Sequence, residues 1–247
     1  IMNDKSNGFY KKIRLFFNNL EDIWTYLPKI NTAGYPFIVI FFLLALVLSM
    51  LSDFLGWLGL ILTVWCIYFF RDPERITPKD DNLVISPADG KILNVIETES
   101  PENIMDKKKI VMKKVSIFMD VFNVHVNRIP VNGKITWLKY VPGVFVNASF
   151  DKSHENNERM ITKIEAKNKS IFFMVQIAGL IARRIKCDLV ENQSVIAGDR
   201  FGLIRFGSRV DMYLPQNYNI KVLEGQTVIS GETIIGEVVS SNQKKSK

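Results

Sequence analysis

The octapeptide Arg71-Asp-Pro-Glu-Arg-Ile-Thr-Pro78 divides the chain into two unlike parts. Two prolines and four charges cannot continue an apolar helix, so the segment before them must end there. Upstream, from Ile30 to Phe70, the only charged residue is Asp53, and two apolar runs, Phe37–Leu51 and Phe54–Phe70, flank the Ser52-Asp53 break. As helices these runs extend roughly 22 and 26 Å, against a hydrocarbon core of about 30 Å. Lys5, Lys11, Lys12, Arg14 and Lys29 precede them, and Arg71 and Arg75 follow. Positive flanks at both ends predict a hairpin whose two ends stay on the cytoplasmic side of a cell membrane. Tyr35, Trp57, Trp65 and Tyr68 suit interfacial positions. A two-span hairpin and a shallow re-entrant insertion both fit this pattern, and a buried helical pair in a soluble core is the plain alternative. A cleaved signal peptide is disfavoured, because the run starts late and lacks a small-residue cleavage site.

Downstream of Pro78 the chain turns β-rich. Short runs of Val, Ile and Phe bounded by Gly, Pro, Asn or Asp predict strands at Gly90–Glu97, Lys114–Met119, Gly133–Lys139, Arg159–Ala166, Ser170–Ile177, Phe201–Phe206, Arg209–Tyr213 and Ile234–Val239. The expected fold is mainly β within an α+β whole: a helical hairpin followed by an antiparallel sandwich or barrel-like domain. The division is 1–72 for the membrane-anchoring segment and 73–247 for the second domain. Residues 1–34 read as a partly amphipathic helical lead-in, Gly179–Lys186 as a helical piece, and Gln243–Lys247 as a solvated tail. One internal echo links Pro87-Ala-Asp-Gly-Lys-Ile92 with Val222–Glu237, in the manner of the quasi-repeats of lipoyl-type β modules. No exposed hairpin lysine accompanies it, so at most the fold is shared.

A net charge of +7 fits a chain held against an anionic lipid surface, where each nearby basic residue contributes about 1 kcal/mol. Nucleic acid is the competing partner for a basic chain, but no basic-aromatic motif or finger spacing is present, so none is expected. Cys66 and Cys187 have no metal spacing and read as reduced packing residues. No metal cluster, phosphate-cradling glycine loop or dinucleotide fingerprint appears, and no metal is expected.

The residues able to carry chemistry are few. In Arg205-Phe-Gly-Ser-Arg-Val-Asp211 a Gly-Ser pair sits inside a strand-like run. Gly207 has no side chain, so its peptide unit tolerates strained geometry, and the Ser208 hydroxyl can reach back to its carbonyl. Most such pairs are turns. Of the two histidines, His125 lies in Met119–Pro130 among Val and Phe, and reads equally as a satisfied core residue or an acid/base group. His154 lies in a polar loop and reads as solvated. Asp89 occupies a Pro-Ala-Asp-Gly turn, which turn chemistry alone explains. Arg183, Arg184, Arg200, Arg205 and Arg209 are candidates for anion contacts or a plain charged face.

Together, Ser86–Gly90, Asn123-Val-His-Val-Asn-Arg128, Gln176–Arg184 and Arg205–Asp211 resemble the phosphatidylserine decarboxylase proenzymes, most closely their short bacterial and archaeal branch. The resemblance runs from about Phe37 to Glu237 with the motifs in order. It implies a pyruvoyl enzyme made by self-cleavage, with Ser208 attacking Gly207 and the chain parting between them. Residues 1–207 become the β chain and 208–247 the α chain, which form a heterodimer; further dimerisation is left open. The α chain would begin with a covalent pyruvate-derived group at Ser208, serving as cofactor and joining the lipid's serine amine as a Schiff base. The implied substrate is phosphatidylserine in the membrane and the product phosphatidylethanolamine. Asp89 and Ser208 match the family's aspartate and serine motifs. His125 aligns with the first of two histidines that the longer branch carries three apart, and Arg128 stands at the second. An arginine cannot act as a base at neutral pH. The expectation is therefore that His125 serves both scission and decarboxylation, with Asp89 orienting it. Arg128, Arg183, Arg184 and Arg209 are the arginines expected to contact substrate.

Three other readings share parts of this pattern. An archaetidylserine-type decarboxylase would run the same chemistry on another lipid backbone. A membrane-tethered lipoyl-like adaptor would leave the chain intact, and a membrane-hairpin serine hydrolase or self-processing amidase would keep Ser208 as serine.

Overall fold

A break of three residues turns two apolar helices back on one another. In the computed structural model, which describes residues 28–102, 109–143, 157–179, 184–205 and 208–239, helix α1 covers Tyr35–Ser49 and α2 covers Asp53–Phe69. Pro36 stands in the first turn of α1, where its missing N–H costs nothing. Asp53 opens α2, where a carboxylate complements the positive end of the helix. Small residues let the helices approach: a Cβ on Gly59 would fall 2.7 Å from the Ala45 Cα, and one on Gly56 would fall 2.6 Å from the Ser49 Cβ. Their outer faces are open, with Ile40, Leu43, Trp57 and Ile61 all exposed. Thr32–Ser49 is an 18-residue stretch of mean hydropathy 2.2, long and apolar enough to cross a membrane, and only 11% of it is buried. That exposure argues against a soluble-core helix pair, whose apolar faces would be covered.

Residues 28–34 are not α-helical. Lys29–Ile30 (β1) pair with Arg71–Asp72 (β2), and Asn31 caps a single 3₁₀ turn, Thr32–Gly34, by accepting the Ala33 N–H at 3.1 Å. Expected helix over residues 1–27 lies outside the described residues.

The strands that follow are β3 (Leu83–Ile85), β4 (Gly90–Glu99), β5 (Val111–Met119), β6 (Val126–Arg128), β7 (Gly133–Val141), β8 (Arg159–Ala166), β9 (Ile171–Ala178), β10 (Ile185–Cys187), β11 (Ser194–Val195), β12 (Arg200–Ile204), β13 (Ser208–Leu214), β14 (Tyr218–Ile220), β15 (Thr227–Val228) and β16 (Ile234–Val238). Eight form one antiparallel sheet in the order β11-β7-β8-β9-β13-β5-β4-β15, curled into a half-barrel. Bulges between Ile92 and Asn94 and between Ile135 and Trp137 bend its long hairpins. Two three-stranded sheets, β10-β12-β6 and β14-β16-β3, complete the domain. The mainly β, antiparallel expectation is what the chain adopts. The two echoing stretches meet: Ile92 and Gln226 are hydrogen-bonded, and Lys91 pairs with Thr227.

The main core gathers Val115, Ile117 and Met119 of β5, Phe172, Met174 and Ala178 of β9, and Val210, Met212 and Leu214 of β13 with Phe201 and Ile204. A second cluster, with Ile161, Phe173, Val175, Ile177 and Tyr213, covers the other face. A third joins Cys66, Phe69 and Phe70 of the hairpin to Leu203 of β12. The helix expected at Gly179–Lys186 is a correction in its described part: Ile185–Cys187 is strand, held by β12, because cross-strand pairing outweighs a weak local preference.

Candidate active site

β13 is buried along its whole length between β5 and β9. Ser208 opens it, opposite Met119 on one side and Ala178 on the other. The two-residue period turns Ser208 to the face of Val210 and Met212, toward the main core. Its Oγ is buried and has no hydrogen-bond partner among the described residues. Leaving a buried hydroxyl unpaired costs about 1–3 kcal/mol, a condition Ser208 shares with Thr162 and Ser230. Gly207, the expected point of attack, lies outside the described residues, as do Arg183 and His154.

His125 lies at the same end of the sheet. After Met119 the chain makes a tight turn in which Asp120 Oδ1 accepts the N–H groups of Phe122 (2.8 Å) and Asn123 (3.2 Å). His125 follows, just before β6, where Val126 pairs with Leu203 of β12. Its Nδ1 lies 3.0 Å from the Asn123 carbonyl oxygen. A carbonyl only accepts, so Nδ1 carries the proton and Nε2 keeps a lone pair. The ring is almost fully buried and stacks on Phe69, the last residue of α2, at 4.2 Å between centroids and 31° between planes. Burial pulls its pKa down to about 4, against the opposing pull of the Asn123 carbonyl and Asp120, and Arg71 lowers it further. At neutral pH His125 is therefore an uncharged base.

Asp89 is held elsewhere. Its Oδ2 accepts from Arg75 at 2.9 Å and its Oδ1 from the Ser230 N–H at 2.8 Å. Burial raises its pKa, opposed first by the Arg75 charge. The structure thus gives Asp89 no hydrogen bond to His125. It connects through the backbone instead: the Pro87 carbonyl in the same turn accepts the Arg128 N–H at 2.9 Å, tying the turn to β6. Only glycine fits next in that turn, because a Cβ on Gly90 would lie 2.1 Å from the Phe118 carbonyl oxygen.

The expected substrate arginines separate into two kinds. Arg128 donates to the carbonyls of Gly198 and Pro73, both at 2.8 Å, and reaches Asp72 at 3.4 Å. Asp72 also takes Arg200 at 2.8 Å, so this cluster rivets the end of the hairpin to β6 and β12. Arg209 lies on the opposite face of β13 from Ser208, fully buried against Asp211 and bonded to Ser116 at 2.9 Å. Neither is available to a substrate at the Ser208 face. Arg184 is exposed, on the edge beside Arg205.

Three residues not singled out from sequence belong to this region. Phe69 walls His125. Gln176, on the Ser208 side of β9, donates to Asn127 Oδ1 at 2.9 Å, and Asn127 Nδ2 contacts the Met119 sulfur at 3.6 Å. Both amides are fully buried, and Gln176 Oε1 is left without a partner among the described residues. Their positions inside the motifs Asn123–Arg128 and Gln176–Arg184 were the available signal; one Phe in an apolar run carries none.

The geometry sets a buried serine at the head of a central strand and a neutral histidine at the foot of an apolar hairpin. Comparison with known families is specific: the family described as phosphatidylserine decarboxylase matches residues 62–236. The chain belongs to that family. It is accordingly a decarboxylase of phospholipid biosynthesis, a lyase whose substrate class is phosphatidylserine.

Proposed function

We propose that this chain is a proenzyme that cuts itself between Gly207 and Ser208 and then decarboxylates phosphatidylserine to phosphatidylethanolamine with a pyruvoyl group derived from Ser208. The observation that carries this reading is the buried, unpartnered Ser208 hydroxyl at the head of the central strand. A hydroxyl with no competing hydrogen bond is free to turn onto the carbonyl before it, so the residues present fit such a group.

In scission, His125 Nε2 accepts the Ser208 hydroxyl proton while Nδ1 stays on the Asn123 carbonyl. The Ser208 oxygen attacks the Gly207 carbonyl, and the amide becomes an ester. Loss of the Ser208 α-proton expels residues 1–207 as a carboxylate, and water then displaces ammonia from the dehydroalanine left at 208. The severed strand stays in place, because β13 keeps its ladders with β5 and β9, which supports a β/α heterodimer of residues 1–207 and 208–247.

The pyruvoyl group supplies an electron sink as carbon dioxide leaves the substrate. The chain's own contributions are orientation and proton handling. His125 returns a proton to the carbon that lost carbon dioxide. Phe69 and the main core keep water from that proton. Asp89, through Arg75, Ser230 and the Pro87 carbonyl, holds the turn that braces β6 and so positions His125. Residues 1–72 would anchor the enzyme at the cytoplasmic face of the cell membrane, with 73–247 as the catalytic domain; the apolar helices and positive flanks support this.

Intact mass of the purified protein tests the proposal. The expected result is two chains meeting at 207/208, the smaller lighter by one ammonia than a serine-started fragment, and one undivided chain for Ser208→Ala. An undivided wild-type chain with decarboxylase activity would overturn it.

A further inference from the structure

We infer that Arg184 and Arg205 form a cross-strand clamp for the phosphodiester of the lipid substrate; this rests on the decarboxylase reading above. The pairing of β10 with β12 sets Ile185 opposite Ile204 and Lys186 opposite Leu203. The ladder continues one step, where the Arg205 N–H meets the Arg184 carbonyl at 3.4 Å, so the two arginines stand opposite each other on one face. Like charges directly opposite are destabilising. Neither arginine makes an ion pair among the described residues. Arg205 has its guanidinium carbon 5.2 Å from the Phe37 ring centroid, and its Nε is buried without a partner. Glu158, whose charge acts on Tyr140 together with that of Arg184, accepts the Ile185 N–H at 3.4 Å and the Tyr140 hydroxyl. Arg71, Arg75, Arg128, Arg200 and Arg209 are all spent on carbonyls or carboxylates.

Position argues the ligand. Leu203 packs with the hairpin cluster and Ile204 with the main core, so the alternation turns Arg205 toward the hairpin. Phe37, which carries Arg205, stacks on Phe70 at 5.6 Å. Phe70 meets Phe69, and Phe69 covers His125. Arg205 is three residues from Ser208. The clamp thus sits where the apolar hairpin meets the chemistry, the depth of a phosphate whose acyl chains remain in the bilayer. The substrate's carboxylate is the poorer ligand. Two guanidinium groups would hold its charge in the ground state and oppose the loss of carbon dioxide, whereas the phosphodiester keeps its charge throughout.

The test uses full-length Arg184→Gln, Arg205→Gln and the double variant, with Arg205→Lys as the conservative case. Intact mass comes first. All four should split at 207/208 like wild type, and a wild-type chain that does not split condemns the self-cleavage reading and not the clamp. With monomeric dihexanoyl-phosphatidylserine below its micellar concentration, each Gln variant should raise KM about tenfold or more with kcat within about threefold. Arg205→Lys should fall between, because an ammonium keeps the charge and loses the fork. Dihexanoyl-phosphatidylglycerol, a phosphodiester without serine, should inhibit wild type and lose about tenfold in potency against the double variant. Unchanged KM in split Gln variants overturns the proposal. So does a KM effect seen only on vesicles containing phosphatidylglycerol and absent with monomeric substrate, which would assign the pair to the lipid surface.

Discussion

The two faces of β13 bury different kinds of polar group, a paired charge on one and a lone hydroxyl on the other. On one face Arg209 and Asp211 have lost all contact with solvent, and the guanidinium spends Nε and Nη2 on Asp211 and Ser116, with Nη1 left unpartnered among the described residues. On the other, Ser208 has a buried hydroxyl that meets no partner among the described residues. The energies explain the asymmetry. An unpaired buried charge costs several kcal/mol and would unfold a domain of ordinary stability, while an unpaired hydroxyl costs about 1–3 kcal/mol and is bearable. The paired charges hold one face of the strand together; the other face carries a neutral hydroxyl with no partner among the described residues.

That contrast is open to attack at several points. The largest effect belongs to His125→Ala: without a base for the Ser208 hydroxyl, scission should slow by about 10²–10⁴, and pulse-chase gels should show the 28.4 kDa precursor persisting. Prompt cleavage in this variant would remove His125 from the open face. Asp211→Ala should cost on the order of 3–5 kcal/mol in a denaturant titration of the Ser208→Ala precursor, because it strands Arg209. The joint replacement Arg209→Met/Asp211→Leu should recover most of that loss. If the joint variant instead folds well and fails to cleave, the Arg209 face has a chemical part and the comparison breaks.

Acid provides a smaller and separable effect. Folded His125 takes its proton only near pH 4, while the unfolded chain takes it near the ordinary 6.5. Between those values the unfolded state binds more protons, so stability rises with pH through this window and is lost as pH falls through it. The stability gap between Ser208→Ala and Ser208→Ala/His125→Gln should therefore narrow on acidification from 6.5 toward 4 and stay level above 7. A gap independent of pH would mean that His125 is solvated. Smallest of all, Phe69→Leu should slow scission by less than about tenfold, yet move the His125 transition upward by admitting water. Phe69→Trp should restore both.

Much of this was legible in the chain. The hairpin could be bounded to within about two residues because composition alone marks it, and the ends of β8 because alternation and flanking turns agree there. Ser208, His125 and Asp89 could be named from motif resemblance, but not joined. That Asp89 pairs with Arg75 and Ser230 depends on contacts 14 and 141 residues apart, which no local pattern encodes. Arg209 is instructive, since Arg-x-Asp in a strand puts both side chains on one face and opposite Ser208; the two-residue period held that information before any fold was known. Arg128 gave no such hint, because its partners Pro73 and Gly198 come from distant loops.

The run of rings from Phe37 through Phe70 and Phe69 to His125 has a practical corollary. Trimming the greasy amino-terminal portion to obtain a water-soluble preparation would strip Phe69 from the His125 ring and Phe37 from Arg205. Such a shortened protein would be a different catalyst, and its kinetics would say little about the parent.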